Sequence, residues 1–289
     1  MNMNAPRKVV LITGTGHCGS TLLDLILASH SSAFGVGELK DLKFHGFQPG
    51  NVLGGKDSRL WTAARARRVV SLFNVEKGYP HRLQRKVAPG TLRNRRKLYG
   101  ELCAGLPDRS ILVDSSKSPN YLRRSLEQLR VSNITPYVIW ITRDPRGVIN
   151  SFVRKKGLTI ADGIQRYDTK HAEVERLFSA LDTPGRKVSY ERLADTPEPV
   201  VRDVCEWLEI DYEPAMLRFW EGEHFHVGGN SGTKSFLAKF RGNPNATTGK
   251  EGSKEYYAHH DLAIRLDERW RTQLSAEDQA SIADHYQLS

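Results

Sequence analysis

One junction near the N-terminus limits the fold more than anything else in the chain. The apolar, β-branched run at residues 9–13 leads straight into Gly14-Thr15-Gly16-His17-Cys18-Gly19-Ser20-Thr21. An apolar helical run containing Leu22, Leu23, Leu25, Ile26 and Leu27 follows at once. Strand, glycine-rich turn and helix start together aim backbone N–H groups and the positive end of a helix dipole at one spot, which suits an anion. The spacing is that of a nucleotide-triphosphate loop, G-x-x-x-x-G-K-[ST], except that Ser20 stands in the lysine position. That lysine neutralises the β- and γ-phosphates, so its replacement argues against ATP or GTP hydrolysis while the anion cradle stays.

The remaining periodicity extends this unit into a parallel sheet built from βα repeats. Strands are expected at 9–13, 110–113, 136–142 and 187–190, and helices at 19–29, 119–129, 145–155 and 197–208. Three of the helices open with a proline near the first turn. At 289 residues the chain suffices for one large α/β domain spanning 1–289. Residues 43–108 read as a helical insertion, with helical candidates at 59–73 and 91–102 and a Gly/Pro-punctuated linker at 78–90. Residues 222–258, rich in Gly, Asn, Ser and Thr, read as an irregular functional loop. Helical signals close the chain at 262–274 and, after a Ser-x-x-Asp cap at Ser275, at 276–286.

Charge is concentrated in the insertion. Residues 56–97 carry 13 Lys/Arg against Asp57 and Glu76, whereas the rest of the chain is close to neutral within a net charge of +10. Such a field either concentrates an anionic partner or is a solvated helical face. With few aromatics (Trp61, Phe73, Tyr79) and no named binding motif, it does not read as a nucleic-acid site. No apolar run reaches membrane-span length, and the N-terminus enters the first strand without a secretory apolar core. Three scattered cysteines, Cys18, Cys103 and Cys205, fit a reducing compartment and no zinc pattern, so a cytoplasmic protein without a metal is expected.

Three further strand ends bring chemistry to the loop. The strand candidate at 136–142 ends in Arg143, with Ser151 about two helical turns on; a guanidinium fork and a hydroxyl suit a second phosphate. The strand at 110–113 ends in Asp114-Ser115-Ser116-Lys117, which puts Lys117 at the same edge, and Glu38 in Gly35-Val36-Gly37-Glu38 returns to the loop's mouth. Cys18, at a helix start, is expected to have a lowered thiol pKa. The residues after it supply no arginine of the kind a phosphatase loop needs. His226, beside Gly228-Gly229-Asn230, is expected on the acceptor side, and His224 with His226 lacks the companions of a metal site.

In their order, GTGHCGSTLLDLIL, GVGEL, DSSKSP, RDPRGVINSF and YERL resemble the sulfotransferases that use 3'-phosphoadenosine 5'-phosphosulfate, closest to the bacterial enzymes and the tyrosylprotein branch. The likeness runs from Val9 to about Leu208. It implies a P-loop NTPase-like parallel sheet flanked by helices. It further implies that Thr15, Gly16, His17, Cys18, Gly19, Ser20 and Thr21 hold the 5'-phosphosulfate and that Arg143 with Ser151 holds the 3'-phosphate. Lys155, Tyr190 and part of 230–241 (Asn230, Ser231, Lys234, Arg241) would complete the nucleotide site. Glu38 would then be the base toward a hydroxyl acceptor, which the basic insertion would suit if it is anionic, and Lys117 would stabilise the bridging oxygen, with no metal required. A homodimer is compatible with this reading. One position departs from the family pattern: His17 stands where arginine or lysine is usual, and a bound anion would favour its charged form. The competing readings are a nucleotide kinase or phosphotransferase, against which Ser20 speaks, and an anionic-polymer binding protein built on 56–97.

Overall fold

The computed structural model describes residues 8–41, 98–104, 106, 109–130, 132, 134–242 and 262–288. The basic stretch 56–97, and with it the helical candidate at 59–73 and the linker at 78–90, lies outside the described residues.

Five parallel strands make the sheet: β1 (Lys8–Thr13), β2 (Ala33–Gly37), β3 (Ile111–Lys117), β4 (Thr135–Thr142) and β5 (Gly185–Ser189), in the order β2-β3-β1-β4-β5. Parallel strands need covered faces, and β1 shows the resulting pattern. Val10 and Ile12 point into one core with α1 (Ser20–Ala28), whereas Val9 and Leu11 point into a second core with α2 (Leu98–Ala104) and α3 (Pro119–Arg130). α4 (Pro145–Lys156) and α5 (Ile160–Ser179) follow β4. After β5 come α6 (Tyr190–Asp195), α7 (Pro197–Trp207), a 3-10 helix (Pro214–Glu221), α8 (Ser231–Phe240), α9 (Trp270–Gln273) and α10 (Ala276–Tyr286). The chain leaves the central β1 for the outer β2, fills β3 between them, then crosses to β4 and β5. The strand order therefore reverses at β1, and open α/β sheets bind ligands at the C-terminal ends of such a point.

The four anticipated strands and the first four helices are present within a few residues. β2 is an addition: AFGVG carries two glycines, and its pairing rather than its propensity makes it a strand. α5 is another. Its apolar seam is thin, with Gly163, Tyr167 and Val174 buried along twenty residues, and Thr159 caps it by accepting from the Asp162 N–H at 3.1 Å. Two expectations need correcting. The stretch read as irregular contains α8, capped by the Asn230 side chain, which accepts from the Gly232 N–H at 2.8 Å and the Thr233 N–H at 3.3 Å. Of the helix expected over 262–274, only α9 forms. Residues 264–268 run without helical structure because Asp267 is tied across the sheet to Tyr190 and Arg143.

The sheet's registers shift where the site begins. Between β1 and β3 the pairing slips so that Leu11 faces Asp114 but Thr13 faces Lys117, and between β2 and β3 it slips between Gly35 and Gly37. The slip carries Lys117, at φ 54, to the carboxyl edge, where its carbonyl accepts from Thr13 Oγ1 at 3.0 Å. Behind it, buried Asp114 accepts from Ser116 N–H at 2.9 Å and Tyr99 Oη at 2.9 Å; burial lifts its pKa to about 6 despite these donors. Gly37 has φ 74, and a Cβ there would stand 2.3 Å from the Val227 carbonyl. Gly37→Ala is expected to cost about 2–4 kcal/mol, combining a left-handed side chain with overpacking. Urea unfolding measures it, and an unchanged midpoint would mean that the two strands part without penalty.

Candidate active site

The loop after β1 reaches α1 through Gly19, whose φ of 95 admits no side chain; a Cβ there would meet the Tyr190 ring at 2.4 Å. Gly19 supplies no side-chain cap and the first turn holds no acid, so the N-terminal N–H groups and the dipole face the space above the sheet. That space is a cavity of about 410 Å³ lined by Gly16, His17, Gly19, Ser20 and Thr21 of the loop, Glu38, Lys117, Arg143, Ser151, Lys155, Tyr190 and Asn230. A side pocket of about 70 Å³ shares Arg143, Ser151 and Lys155 with it and adds Arg154 and Asn150. The structure therefore gathers most of the residues anticipated from the sequence around one space.

Each functional side chain is held by its element. Arg143, just after β4, sits over the Tyr190 ring with its guanidinium carbon 4.3 Å from the ring centroid. It donates to the His17 carbonyl at 3.0 Å and to the Asp267 carbonyl at 2.7 Å. Asp144, its sequence neighbour, pairs instead with Arg146 and caps α4. Ser151 Oγ donates to the Gly147 carbonyl one turn back and faces the cavity. Glu38 is gripped from both sides: one carboxylate oxygen by the Lys117 ammonium, the other by Lys40 at 2.7 Å. Burial alone would raise its pKa, but the two ammonium groups hold it down to about 2. Lys117 is kept cationic by Glu38 against the burial that would neutralise it.

Six anticipated positions fall elsewhere. Thr15 is buried beneath the loop. Cys18 is fully buried, and burial pushes its thiol pKa up, not down, which removes it as a nucleophile. Lys234, on α8, feels the charges of Glu38 and Asp41 without lining the cavity, and Arg241 is exposed at the end of α8. Ser231 opens α8. His226 does not face an acceptor side: it is buried against Asp24 at 2.9 Å. Among the described residues no cluster of His, Cys, Asp and Glu could hold a metal ion.

The sequence reading missed one wall. Ala263, Ile264, Arg265, Asp267 and Arg269 line the cavity from the segment taken for a helix. Asp267 latches that segment: its N–H donates to Tyr190 Oη at 3.1 Å, and its carboxylate takes Arg269 at 2.7 Å and Arg143 at 3.3 Å. Despite burial, Arg269 and Arg143 hold its pKa down to about 2. The alternation Arg265-Leu266-Asp267-Glu268-Arg269 was the available signal, but charges at that spacing also suit a helix surface.

Electrostatics define the ligand class. Six cationic residues line the cavity, Lys117, Arg143, Lys155, Lys156, Arg265 and Arg269, against the carboxylates Glu38 and Asp267. Burial, then Lys155, Lys117, Lys156 and Arg143, lower the His17 pKa to about 3, so its imidazole is neutral while the cavity holds no anion. His17 takes a left-handed conformation, φ 63, and packs edge-on to Phe152.

A family model described as "Sulfotransferase family" matches residues 10–214, and the chain belongs to that family. A candidate protein-tyrosine sulfotransferase of Caenorhabditis briggsae is 31% identical over 90 residues, a match covering 29% of this chain and 32% of that protein. The chain thus aligns with about a third of that relative's length. The sulfotransferase domain of the Synechococcus PCC 7002 olefin synthase superposes with a TM-score of 0.59 at 20% identity, covering 100% of this chain and 98% of that one. The sulfotransferase domain from the curacin biosynthetic pathway gives 0.55 at 20% identity, covering 99% of both chains. These two likenesses are of fold. The family and these likenesses agree with the parallel-sheet fold that the loop motif implied.

The neutral histidines carry a pH consequence. His17 and His224, whose pKa burial lowers to about 3, stay uncharged in the folded chain while the unfolded chain protonates near 6.5. Their contribution to stability is therefore full above pH 6.5 and falls as pH drops toward 3, each group adding up to about 1.4 kcal/mol per pH unit. His17→Gln is expected to flatten the fall in melting temperature between pH 6.5 and 4.5. An unchanged slope would place a charged His17 in the empty site.

Proposed function

We propose that the enzyme moves a sulfuryl group from 3'-phosphoadenosine 5'-phosphosulfate to a hydroxyl acceptor, with Glu38 as base and Lys117 at the bridging oxygen. One observation carries the reading: the Glu38–Lys117 ion pair lines the same cation-rich cavity as the start of α1, which no side chain caps. The donor fits this space in chemistry. The loop N–H groups and Lys117 would take the phosphosulfate, while Arg143, Ser151, Lys155 and the side pocket would take the 3'-phosphate. The donor supplies an activated sulfur whose bond to the bridging oxygen breaks as the acceptor oxygen bonds to it.

Glu38 receives the acceptor proton. With both lysines on it, the carboxylate is ionised at every working pH but weakly basic. A turn of Lys117 toward the bridging oxygen would remove the largest stabilising charge and make Glu38 more basic as the leaving phosphate gains charge. His17, neutral in the empty site, would become protonated beside the incoming anion and replace the cation that the family usually carries there. Sulfuryl transfer needs less charge neutralisation than phosphoryl transfer, in keeping with Ser20 in place of the loop lysine. No metal enters this scheme. Three buried free thiols are in keeping with a reducing, cytoplasmic setting.

The name of the nematode relative makes a tyrosine hydroxyl in an acidic peptide the first acceptor to try. Glu38→Gln is expected to lower kcat by about 10²–10⁴-fold. Its affinity for adenosine 3',5'-bisphosphate, measured by calorimetry, should stay within about threefold of wild type. Near-normal kcat in Glu38→Gln would contradict the assignment of the base.

A further inference from the structure

The segment from His224 to Asn230 runs from beyond the 3-10 helix to the cap of α8, and one of its anchors is a buried polar pair. His226 Nε2 lies 2.9 Å from Asp24 Oδ1, with the two side chains only 2% and 1% exposed. Asp24 belongs to α1, the helix of the anion loop, and its other oxygen accepts from Ser115 Oγ of β3 at 2.6 Å. The buried Nδ1 of His226 has no hydrogen-bond partner among the described residues. A lone pair there is tolerable and an N–H is not, so Nε2 carries the proton and donates to Asp24.

One residue further the segment joins the sheet. The Val227 N–H donates to the Val36 carbonyl at 3.0 Å, and the Val227 carbonyl accepts the Glu38 N–H at 2.7 Å. The Asn230 N–H then donates to Thr21 Oγ1 at 3.0 Å, back on the anion loop. β2 is bare where the segment lies on it: a Cβ at Gly35 would sit 2.4 Å from His226 Nε2. The Asp24–His226 bond therefore fixes a strap, and the next residue of the strap holds the backbone of Glu38.

We infer that His226, through Asp24, is a positioning residue for Glu38, setting the base relative to the anion loop. The inference rests on Glu38 being the base. The bond ties both to α1, so a strap freed from Asp24 lets Glu38 drift from Lys117 and from the transferring group. Displacements of about 1 Å are enough to cost roughly 10²-fold in rate.

The test compares His226→Leu and His226→Gln, each with and without Glu38→Gln. The readouts are turnover of the phosphosulfate donor onto an acidic tyrosine peptide, the same turnover onto water, and the carboxyl ¹³C titration of Glu38. His226→Leu is expected to lower kcat by about 10–100-fold with the affinity for adenosine 3',5'-bisphosphate unchanged. It should also raise the Glu38 titration from about 2. His226→Gln, which restores a donor at the Nε2 position, recovers most of the rate. In the Glu38→Gln background His226→Leu costs little more, because the group it positions is already gone. Should His226→Leu fail to fold, Ser115→Ala loosens Asp24 more gently and gives a smaller loss, again only when Glu38 is present. An equal loss with and without Glu38, or a wild-type rate and titration in His226→Leu, overturns the inference. Wild-type turnover in Glu38→Gln alone overturns the base assignment instead, and the Glu38 titration still reports whether the strap holds that residue in place.

Discussion

The ion pair between Lys117 and Glu38 sets the terms for the rest of the site. Lys117 ends β3 and Glu38 directly follows the neighbouring β2, and the register slips of β3 against β1 and of β2 against β3 lie just before them. The slips in turn need a bare Gly37, a left-handed Lys117 and the buried Asp114 that binds the turn from behind. Burying one charge without the other would be costly, so the pair holds the edge of the sheet together as well as carrying the proposed chemistry. Each lysine on Glu38 makes the carboxylate more stable and less reactive. That tension gives the empty site its resting state.

The opposite end of the cavity is organised by the same logic with the signs reversed. Arg143 sits over the Tyr190 ring and is held by the carbonyls of His17 and Asp267, while the Asp267 carboxylate spans Arg143 and Arg269. One acid thus pins two guanidinium groups and one stretch of backbone over the sheet. Burial first, and then the surplus of cations left after this pairing, hold His17 neutral, and that surplus is the electrostatic counterpart of the lysine that the loop lacks.

Much of this was legible in the sequence because the strong signals were local. The strand–turn–helix of the anion loop, the proline-opened helices and the Ser275 cap are encoded within a few residues, and each is present. Glu38, Lys117, Arg143 and Ser151 could be placed at one edge because a strand end fixes where its next side chain lies. What escaped depends on distant partners. β2 is a strand because β3 pairs with it, despite its glycines. The extended wall at 264–268 looks helical in isolation and is overruled by Tyr190 and Arg143, nearly eighty residues or more away. Cys18 was misjudged for a related reason: its position at a helix start predicts a low pKa, but complete burial decides the sign. His226 was assigned to the acceptor side on sequence proximity to Asn230, when its partner is Asp24, 202 residues back.

The proposed function requires a cavity built for a nucleotide with a phosphate on its 3' side, independent of magnesium. Calorimetric titration of the wild-type enzyme with adenosine 3',5'-bisphosphate, adenosine 5'-monophosphate and Mg-ATP measures this directly. Binding of the bisphosphate without metal, at least about tenfold tighter than the other two, is the predicted result, tenfold being about 1.4 kcal/mol for the 3'-phosphate contacts. Tight binding of Mg-ATP with no preference for the bisphosphate would contradict it.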